Sequence, residues 1–202
     1  MCEWLRGLRV GFALCGSHCT LDRAFTALEL LRERGALIYP LISASVRYTD
    51  SRFGEAAARY ERLRALSADS HVIDSIEAAE PIGPKRLFDI LLIAPLTGNS
   101  CAKLAAGIAD TPVTMAAKAH LRGQRPLLLA ISSNDALAAN AKNIGALLNY
   151  KHIFFLPFYQ DDPLHKPNSL VSDYTALLPA MQAALQGRQY QPLLAAPPIP
   201  PV

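Results

Sequence analysis

The sequence predicts an α/β fold in which a parallel sheet is covered on both faces by helices. Three observations favour this fold class. Short apolar runs alternate with helical patterns along the chain, which is typical of strands joined by crossover helices. The strongest run, residues 89–94, leads directly into a turn of hydroxyl, glycine and amide groups. The chain has 202 residues, 51% of them hydrophobic, so a single domain can bury a substantial core.

The predicted elements follow one another in a regular order. Strands are expected at residues 9–15, 37–42, 71–73, 89–94, 126–131 and 152–156, which gives a parallel sheet of about six strands. Helices are expected through Leu28 and Leu31 up to Gly35, over 54–66, near Ile76, after Ser100 as far as Asp110, over 115–121 and 137–150, and through Tyr174 and Leu185.

Prolines set two further expectations. Pro40 lies inside the second strand and has no N–H, so it must fall where the ladder of hydrogen bonds needs no donor. The proline-rich end of the chain cannot continue a helix. We therefore expect one domain over residues 1–190 and an extended or disordered C-terminal arm over residues 191–202.

Composition disfavours several classes of partner. The formal net charge is +3, and no block of like charges suggests binding to nucleic acid or a membrane surface. Neither a signal peptide nor an apolar run of roughly 20 residues is present, so a cytoplasmic protein is expected. The four cysteines have neither metal-binding nor disulfide spacing, and no metal site is predicted.

Three turns rich in small polar residues follow predicted strands. They are Gly16-Ser17-His18-Cys19-Thr20, Pro95-Leu96-Thr97-Gly98-Asn99-Ser100 and Ser132-Ser133-Asn134-Asp135. Helix capping alone explains any one of them, because Ser, Thr, Asn and Asp are favoured at helix N-termini. In a parallel sheet, however, all three lie at the edge where ligands bind. The dinucleotide fingerprint is incomplete at Gly16, so a mononucleotide is favoured over NAD.

Together these motifs resemble the flavoproteins that include peptidyl-cysteine decarboxylases and flavin prenyltransferases, whose corresponding turn commonly reads Pro-Ala-Ser-Ala-Asn-Thr. The sequence is most similar to one branch of that family, the B subunits of dipicolinate synthase. The matching stretches span residues 9–170. They are Gly16-Ser17-His18-Cys19-Thr20, Arg52-Phe53-Gly54-Glu55, Ala94-Pro95-Leu96-Thr97-Gly98-Asn99-Ser100, Ser133-Asn134-Asp135-Ala136-Leu137 and Gln160-Asp161-Asp162-Pro163.

The resemblance implies a three-layer αβα fold of the Rossmann-like or flavodoxin-like type and an FMN cofactor. The residues expected to contact FMN are Gly16, Ser17, His18, Thr20, Ser43, Pro95, Thr97, Gly98, Asn99, Ser100, Ser132 and Ser133. The resemblance further implies that the protein forms a homo-oligomer. It also implies a partner, the A subunit of the synthase, which uses NADP or NAD. Together the two subunits would oxidise a cyclic lysine-pathway intermediate to pyridine-2,6-dicarboxylate, in the mother cell of a sporulating bacterium.

The chain departs from the family pattern at two catalytic positions. The decarboxylases have a histidine shortly before the strand that leads into the asparagine turn, and here that neighbourhood reads Glu80-Pro81. Their Pro-x-Met-Asn motif is reduced to Asn134. The prenyltransferases have an arginine and a glutamate where this chain has Ser132-Ser133. Decarboxylation and prenyl transfer by the family mechanisms are therefore both disfavoured.

The remaining candidates concern substrate and protons. A dicarboxylate substrate calls for cationic or strong donor groups, for which Arg47, Arg52, Lys118 and Asn134 are proposed, with Lys166 behind them. Each cation has a solvated surface role as its alternative. His18 is the candidate acid or base, with helix-start packing as its alternative.

Two side-chain types near the site raise further questions. Cys15 and Cys19 flank His18, but Cys15 ends an apolar strand and is expected in the core. Tyr159 is a candidate to line a pocket or an interface. Two other functions stay open for the chain as a whole: a non-catalytic subunit that binds flavin or phosphate, and a flavin-dependent decarboxylase of a small acid.

Overall fold

A computed structural model describes residues 3–196, and within them seven strands form one sheet. The strands are β1 (Arg9–Leu14), β2 (Leu37–Ile42), β3 (Ile90–Leu96), β4 (Leu127–Ser133), β5 (Ile153–Phe155), β6 (Phe158–Tyr159) and β7 (Leu170–Ser172). The first five are parallel in the order β2-β1-β3-β4-β5. The last two are antiparallel and extend the sheet from the carboxyl end of β4.

Helices cover both faces of the sheet, which confirms the predicted three-layer α/β fold. Over residues 3–196 the helices are α1 (Leu21–Glu33), α2 (Ala44–Tyr48), α3 (Ala56–Leu66), α4 (Ile76–Ala79), α5 (Gly98–Ala105), α6 (Pro112–Arg122), α7 (Ala141–Leu148) and α8 (Leu177–Leu185). Buried residues of α1, α3 and α8 form one apolar cluster. Those of α5, α6 and α7 form the other.

Strand β3 explains why the two clusters form. All seven of its residues are buried, and successive side chains point to opposite faces. Leu92 and Ala94 join the cluster under α1 and α8, whereas Leu91 and Ile93 join the cluster under α6. A continuous apolar run is therefore what a strand covered on both faces requires.

Several expected elements differ from those observed. Residues 71–73 form no strand; Ile73 makes a single bridge to Leu41 beside the edge strand β2. The helix expected from residue 137 begins at Ala141, because residues 134–140 form turns. The prediction of an all-parallel sheet was wrong for β6 and β7, which have two and three residues. Strands that short show no readable alternation.

The two expectations about prolines have different outcomes. Pro40 lies in the edge strand β2, and its carbonyl accepts the Ile73 N–H at 2.9 Å, on the side away from β1. At the other end of the chain, the Phe158 N–H donates to Leu193 O at 3.1 Å, and the Ala195 N–H donates to Phe158 O at 3.0 Å. The predicted arm thus begins as a segment paired with β6, and its residues 197–202 lie outside the described residues.

Between residues 3 and 196 no helix is long and apolar enough to cross a membrane.

Candidate functional site

The polar turns meet where the strand order reverses. From β1 the chain moves to β2 on one side and later to β3 on the other, and ligands bind at such a switch point in open α/β sheets. The Cys15 N–H donates to Pro95 O at 3.2 Å, and the Ser43 N–H donates to Leu14 O at 3.0 Å. These bonds hold the ends of β1, β2 and β3 side by side. We call residues 16–20, 43–45, 97–100 and 132–135 the cradle.

Hydroxyl groups join the first and last turns of the cradle. Ser17 Oγ lies 2.8 Å from Ser132 Oγ, and Thr20 Oγ1 lies 3.1 Å from the same atom. Thr20 also donates to Ser17 O at 3.0 Å. Ser132 is only 8% exposed, so it serves mainly to tie these turns together. Ser17 is half-buried and stays accessible beside it.

Gly16 is needed for the close approach of the β1 and β2 turns. A Cβ at this position would lie 2.2 Å from Ser45 Oγ and 2.8 Å from Ser45 Cβ. Neither distance is compatible with a side chain, so glycine lets the Ser45 side chain pack directly against the backbone at residue 16. Ser43 Oγ and Ser45 Oγ lie 2.9 Å apart. Hydroxyl groups of the turn after β2 thus lie against the turn after β1.

The turn after β3 divides its polar groups between the interior and the surface. Thr97 is the N-cap of α5, and its hydroxyl accepts the Ser100 N–H at 3.4 Å. Ser100 is buried and interacts with the Cys15 thiol, so Thr97 and Ser100 both serve the fold. Asn99 is exposed in the first turn of α5, and its side chain bonds to no other described residue. Asn99 is therefore the side chain of this turn that is free to contact a ligand.

A carboxylate network fixes the turn after β4 against α5. Ser133 Oγ donates to Asp135 Oδ1 at 2.5 Å, and Asn140 Nδ2 donates to Asp135 Oδ2 at 2.8 Å. The Ser133 bond is the main cause that lowers the pKa of Asp135. A Cβ on Gly98 would meet atoms of all three side chains at 2.6–2.7 Å. The glycine thus lets α5 begin directly on this network.

His18 lies inside the cradle with one ring nitrogen unpaired. Its Nδ1 is buried and has no hydrogen-bond partner within residues 3–196, and its Nε2 would lie 3.7 Å from a Cβ on Gly16. Burial lowers the pKa of His18, and the positive charge of Arg59 lowers it further. The imidazole is therefore neutral near pH 7, and its buried Nδ1 makes no contact with solvent.

Arg59 is a site residue that the sequence did not reveal. It is 7% exposed and has no ion pair with an acidic side chain of the described chain. Its guanidinium donates to Gly54 O at 2.6 Å and to Thr49 O at 2.5 Å, which leaves Nε unpaired. Arg59 thus closes loop 49–55 beside His18. Its helix α3 is rich in Ala and Arg, so nothing in the local pattern marks this arginine as buried.

The predicted substrate cations Arg47 and Arg52 contact neighbouring side chains. Arg47 donates to Asp74 at 3.1 Å and stacks over Tyr60 at 4.1 Å, so its charge is already engaged. Arg52 lies exposed over the Phe53 ring at 4.8 Å.

Three further candidates have separate outcomes. Lys118 is on the surface of α6 beside Ile153, the first residue of β5, and therefore away from the carboxyl ends of the strands. Lys166 pairs with Asp161 in an exposed loop. Asn134 does lie in the cradle and is exposed.

Two of the cysteines near the site are buried core residues, and a third is exposed. Cys15 and Cys101 are buried, which raises the pKa of both thiols, that of Cys101 to about 12. A thiol becomes a nucleophile only as the thiolate, so these two are core residues. Cys19 is exposed, with its Sγ 3.9 Å from Ser17 Oγ. Residues 3–196 contain no cluster of His, Cys, Asp and Glu that could hold a metal ion.

Comparisons with known proteins agree with this architecture. The sequence profile of the family described as Flavoprotein matches residues 3–182. The B subunit of dipicolinate synthase from Bacillus subtilis (strain 168) is 47% identical over 190 residues, 94% of each chain. The crystal structure of the B subunit of dipicolinate synthase from Bacillus halodurans is 44% identical, with a TM-score of 0.87 over 96% of this chain and 98% of that one.

A more distant solved structure shows how widely the fold is shared. DmrB of Burkholderia xenovorans, described as a cubic protein cage for redox transfer and solved in complex with FMN, has a TM-score of 0.65. The match covers 89% of this chain and 96% of DmrB, at 21% identity. At that identity the likeness concerns the fold alone.

Proposed function

The chain belongs to the flavoprotein family, and from that membership we propose that it is the B subunit of a dipicolinate synthase that holds FMN in the cradle. The observation that carries the proposal is the match, at 47% identity over 94% of both chains, to the Bacillus subtilis protein. The geometry supports it, because the cradle lies at the β1/β3 switch point, where a mononucleotide binds in sheets of this strand order.

The residues of the cradle fit a flavin mononucleotide. The hydroxyls of Ser17, Ser43 and Ser45 beside Gly16 suit a phosphate group, which binds well to O–H donors. The free amide of Asn99 both donates and accepts, as the edge of a flavin ring requires. When bound, FMN would supply an acceptor for a hydride.

His18 is the residue that we propose moves a proton. Oxidation of a dihydropyridine dicarboxylate to the aromatic product removes a hydride and a proton, and a hydroxytetrahydropyridine must first lose water, which also needs proton transfer. A neutral imidazole is suited to take up such a proton, and it would do so through Nε2, because Nδ1 is buried. The neighbouring Arg59 lowers the pKa of His18, so the neutral form is the one present near pH 7.

The proposal extends to partners and assembly. The nicotinamide-dependent A subunit, its NADP or NAD, the dicarboxylate substrate and the role in sporulation follow from the resemblance. A homo-oligomer is supported by exposed apolar side chains, Ile108 and Tyr150, which line one apolar cleft. The proposed organisation is one domain over residues 1–190 and an arm from residue 191.

A second candidate function is a non-catalytic subunit that binds flavin or phosphate and stabilises the A subunit. It is favoured by the sequence Glu80-Pro81 where the decarboxylases have their histidine. In the structure this pair lies in a short 3₁₀ turn that packs against α6 rather than in the cradle. The cradle therefore receives no acid or base from that segment.

Production of pyridine-2,6-dicarboxylate by both subunits together separates the two functions. We expect His18→Ala and Asn99→Ala to lower the rate at least about tenfold, since each removes a group in contact with the reactants. His71→Ala and Asn149→Ala are matched controls at exposed positions outside the cradle. Full activity of both cradle variants would favour the non-catalytic role. Carbon dioxide release in the absence of the A subunit would indicate a decarboxylase.

A further inference from the structure

An open cleft of about 470 Å³ lies next to the cradle. Its walls include Arg23 of the first turn of α1, Tyr159 of β6, and Ser172, Tyr174 and Thr175 at the end of β7 and in the turn that follows. Its volume lies within the roughly 300–1,000 Å³ typical of small-ligand sites. We call it the Arg23 cleft.

Two short stretches of chain connect the cradle with the Arg23 cleft. Thr20 interacts with Ser132 at 3.1 Å, and Arg23 follows Thr20 by three residues, about one turn of helix. On the other side, Ser132 is the register partner of Val171, the residue before Ser172. A ligand in the cleft would therefore lie beside a cofactor bound in the cradle.

Arg23 brings an unpaired positive charge to this cleft. It forms no hydrogen bond or ion pair with another residue between 3 and 196, in contrast to Arg47, which pairs with Asp74. Asp173 also lines the cleft, but one of its oxygens already accepts the Thr175 N–H at 2.9 Å and the Thr175 hydroxyl at 2.6 Å. These bonds leave the negative charge of Asp173 in place, but no ion pair joins it to Arg23 in the described chain, so the donors of the guanidinium are free to bind an anionic group.

Aromatic side chains supply the rest of the cleft. Tyr159 and Tyr174 present flat apolar surfaces, and the Arg23 charge acts on the Tyr174 hydroxyl. That hydroxyl is buried without a hydrogen-bond partner in the described chain. Two rings next to one free guanidinium form a pattern that recognises a planar carboxylate, since the guanidinium pairs with the carboxylate and the rings contact the ring of the ligand.

We propose that the Arg23 cleft binds a planar ring carboxylate, with Arg23 paired to the carboxylate group and Tyr159 and Tyr174 in contact with the ring. The identification of this ligand as the pyridine dicarboxylate or its precursor rests on the proposed function. It replaces Arg47 and Lys118 as substrate contacts, because one is engaged with Asp74 and the other lies on the surface of α6.

Isothermal titration of the purified full-length protein with pyridine-2,6-dicarboxylate tests the proposal. We expect wild type to bind it and Arg23→Gln to bind at least about tenfold more weakly, since a charge-assisted pair is lost. Arg32→Gln is the matched control, because it removes the same charge from an exposed position further along α1. Equal affinity of Arg23→Gln and wild type, or no binding by wild type, would overturn the proposal.

Two further measurements make the result specific. Pyridine without carboxyl groups should not compete with the dicarboxylate; competition at equal concentration would contradict a role for Arg23 in recognition. Titration of the same variants with FMN keeps this proposal apart from the proposed function. Arg23-dependent binding of the dicarboxylate without any FMN binding would refute the flavin site and leave the cleft assigned. FMN binding by wild type, together with an Arg23→Gln variant that binds the dicarboxylate as tightly as wild type, would support the flavin site and refute the assignment of the cleft.

Discussion

Replacement of Gly16 by alanine is the sharpest test of the cradle, because it adds one methyl group where two turns touch. The new Cβ would lie 2.2 Å from Ser45 Oγ and 2.8 Å from Ser45 Cβ. The hydroxyl can rotate away, but Ser45 Cβ is attached to the backbone. For ordinary contact at 3.4 Å, the turn after β2 must retreat by roughly half an ångström.

The expected cost follows from that displacement. Overpacking by a methyl group costs about 1–3 kcal/mol, and 1.4 kcal/mol corresponds to a tenfold change in affinity. Since the displaced turn carries Ser43 and Ser45, we expect Gly16→Ala to weaken FMN binding by about tenfold to a hundredfold. The double variant Gly16→Ala/Ser45→Gly removes both obstructing atoms together with one hydroxyl proposed to bind the phosphate, so it should recover part of the loss.

Quenching of flavin fluorescence during titration measures these affinities directly. Gly145→Ala is the matched control, since a Cβ at that position in α7 meets nothing within 4 Å. Its affinity for FMN should equal that of wild type. If Gly16→Ala bound FMN as tightly as wild type, the assignment of this turn to the cofactor would be wrong. Failure of the double variant to recover any affinity would show that the clash with Ser45 is not the cause.

Three other predictions concern stability and protonation. Gly98→Ala should lower the free energy of unfolding by about 1–3 kcal/mol, because its Cβ would crowd the carboxylate network at 2.6–2.7 Å; urea unfolding with an unchanged midpoint would contradict this. His120 is fully buried with a pKa of about 4, whereas in the unfolded chain it protonates near pH 6.5. Stability should therefore fall as the pH drops from about 6.5 to 4, by at most about 3 kcal/mol, and urea midpoints of His120→Gln should lose this part of the pH dependence. Arg59→Met should raise the pKa of His18, since it removes a repelling charge, whereas Arg62→Met on the same helix should not; an NMR titration of the imidazole that shows no difference would refute this coupling.

The fold was predictable because its main signals are local. A continuous apolar run predicts β3, and a glycine predicts the end of α1. Each signal lies within a few residues of the chain. The exceptions have a common physical cause. Strands β6 and β7 have two and three residues, so only their partners in space define them. The single bridge at Ile73 likewise depends on the neighbouring edge strand rather than on its own sequence.

The site was predictable in position but less so in detail. The turns after β1, β3 and β4 meet as expected, since parallel strands end at one edge of the sheet. The sequence could not tell a capping hydroxyl from a ligand-binding one, and Thr97 proves to be a cap while Asn99 is free. Arg59 is buried by the loop that precedes its own helix, and Arg23 lies near the end of β7, which is distant in sequence. No pattern within α3 marks Arg59 as buried, and none within α1 marks Arg23 as part of a cleft.

A crystal structure of the protein grown with FMN shows whether the cradle is the flavin site. We expect flavin density in contact with Ser17 and Asn99, with the phosphate group beside Gly16 and Ser43. Flavin bound elsewhere on the chain, or a cradle without flavin at saturating FMN, would contradict it.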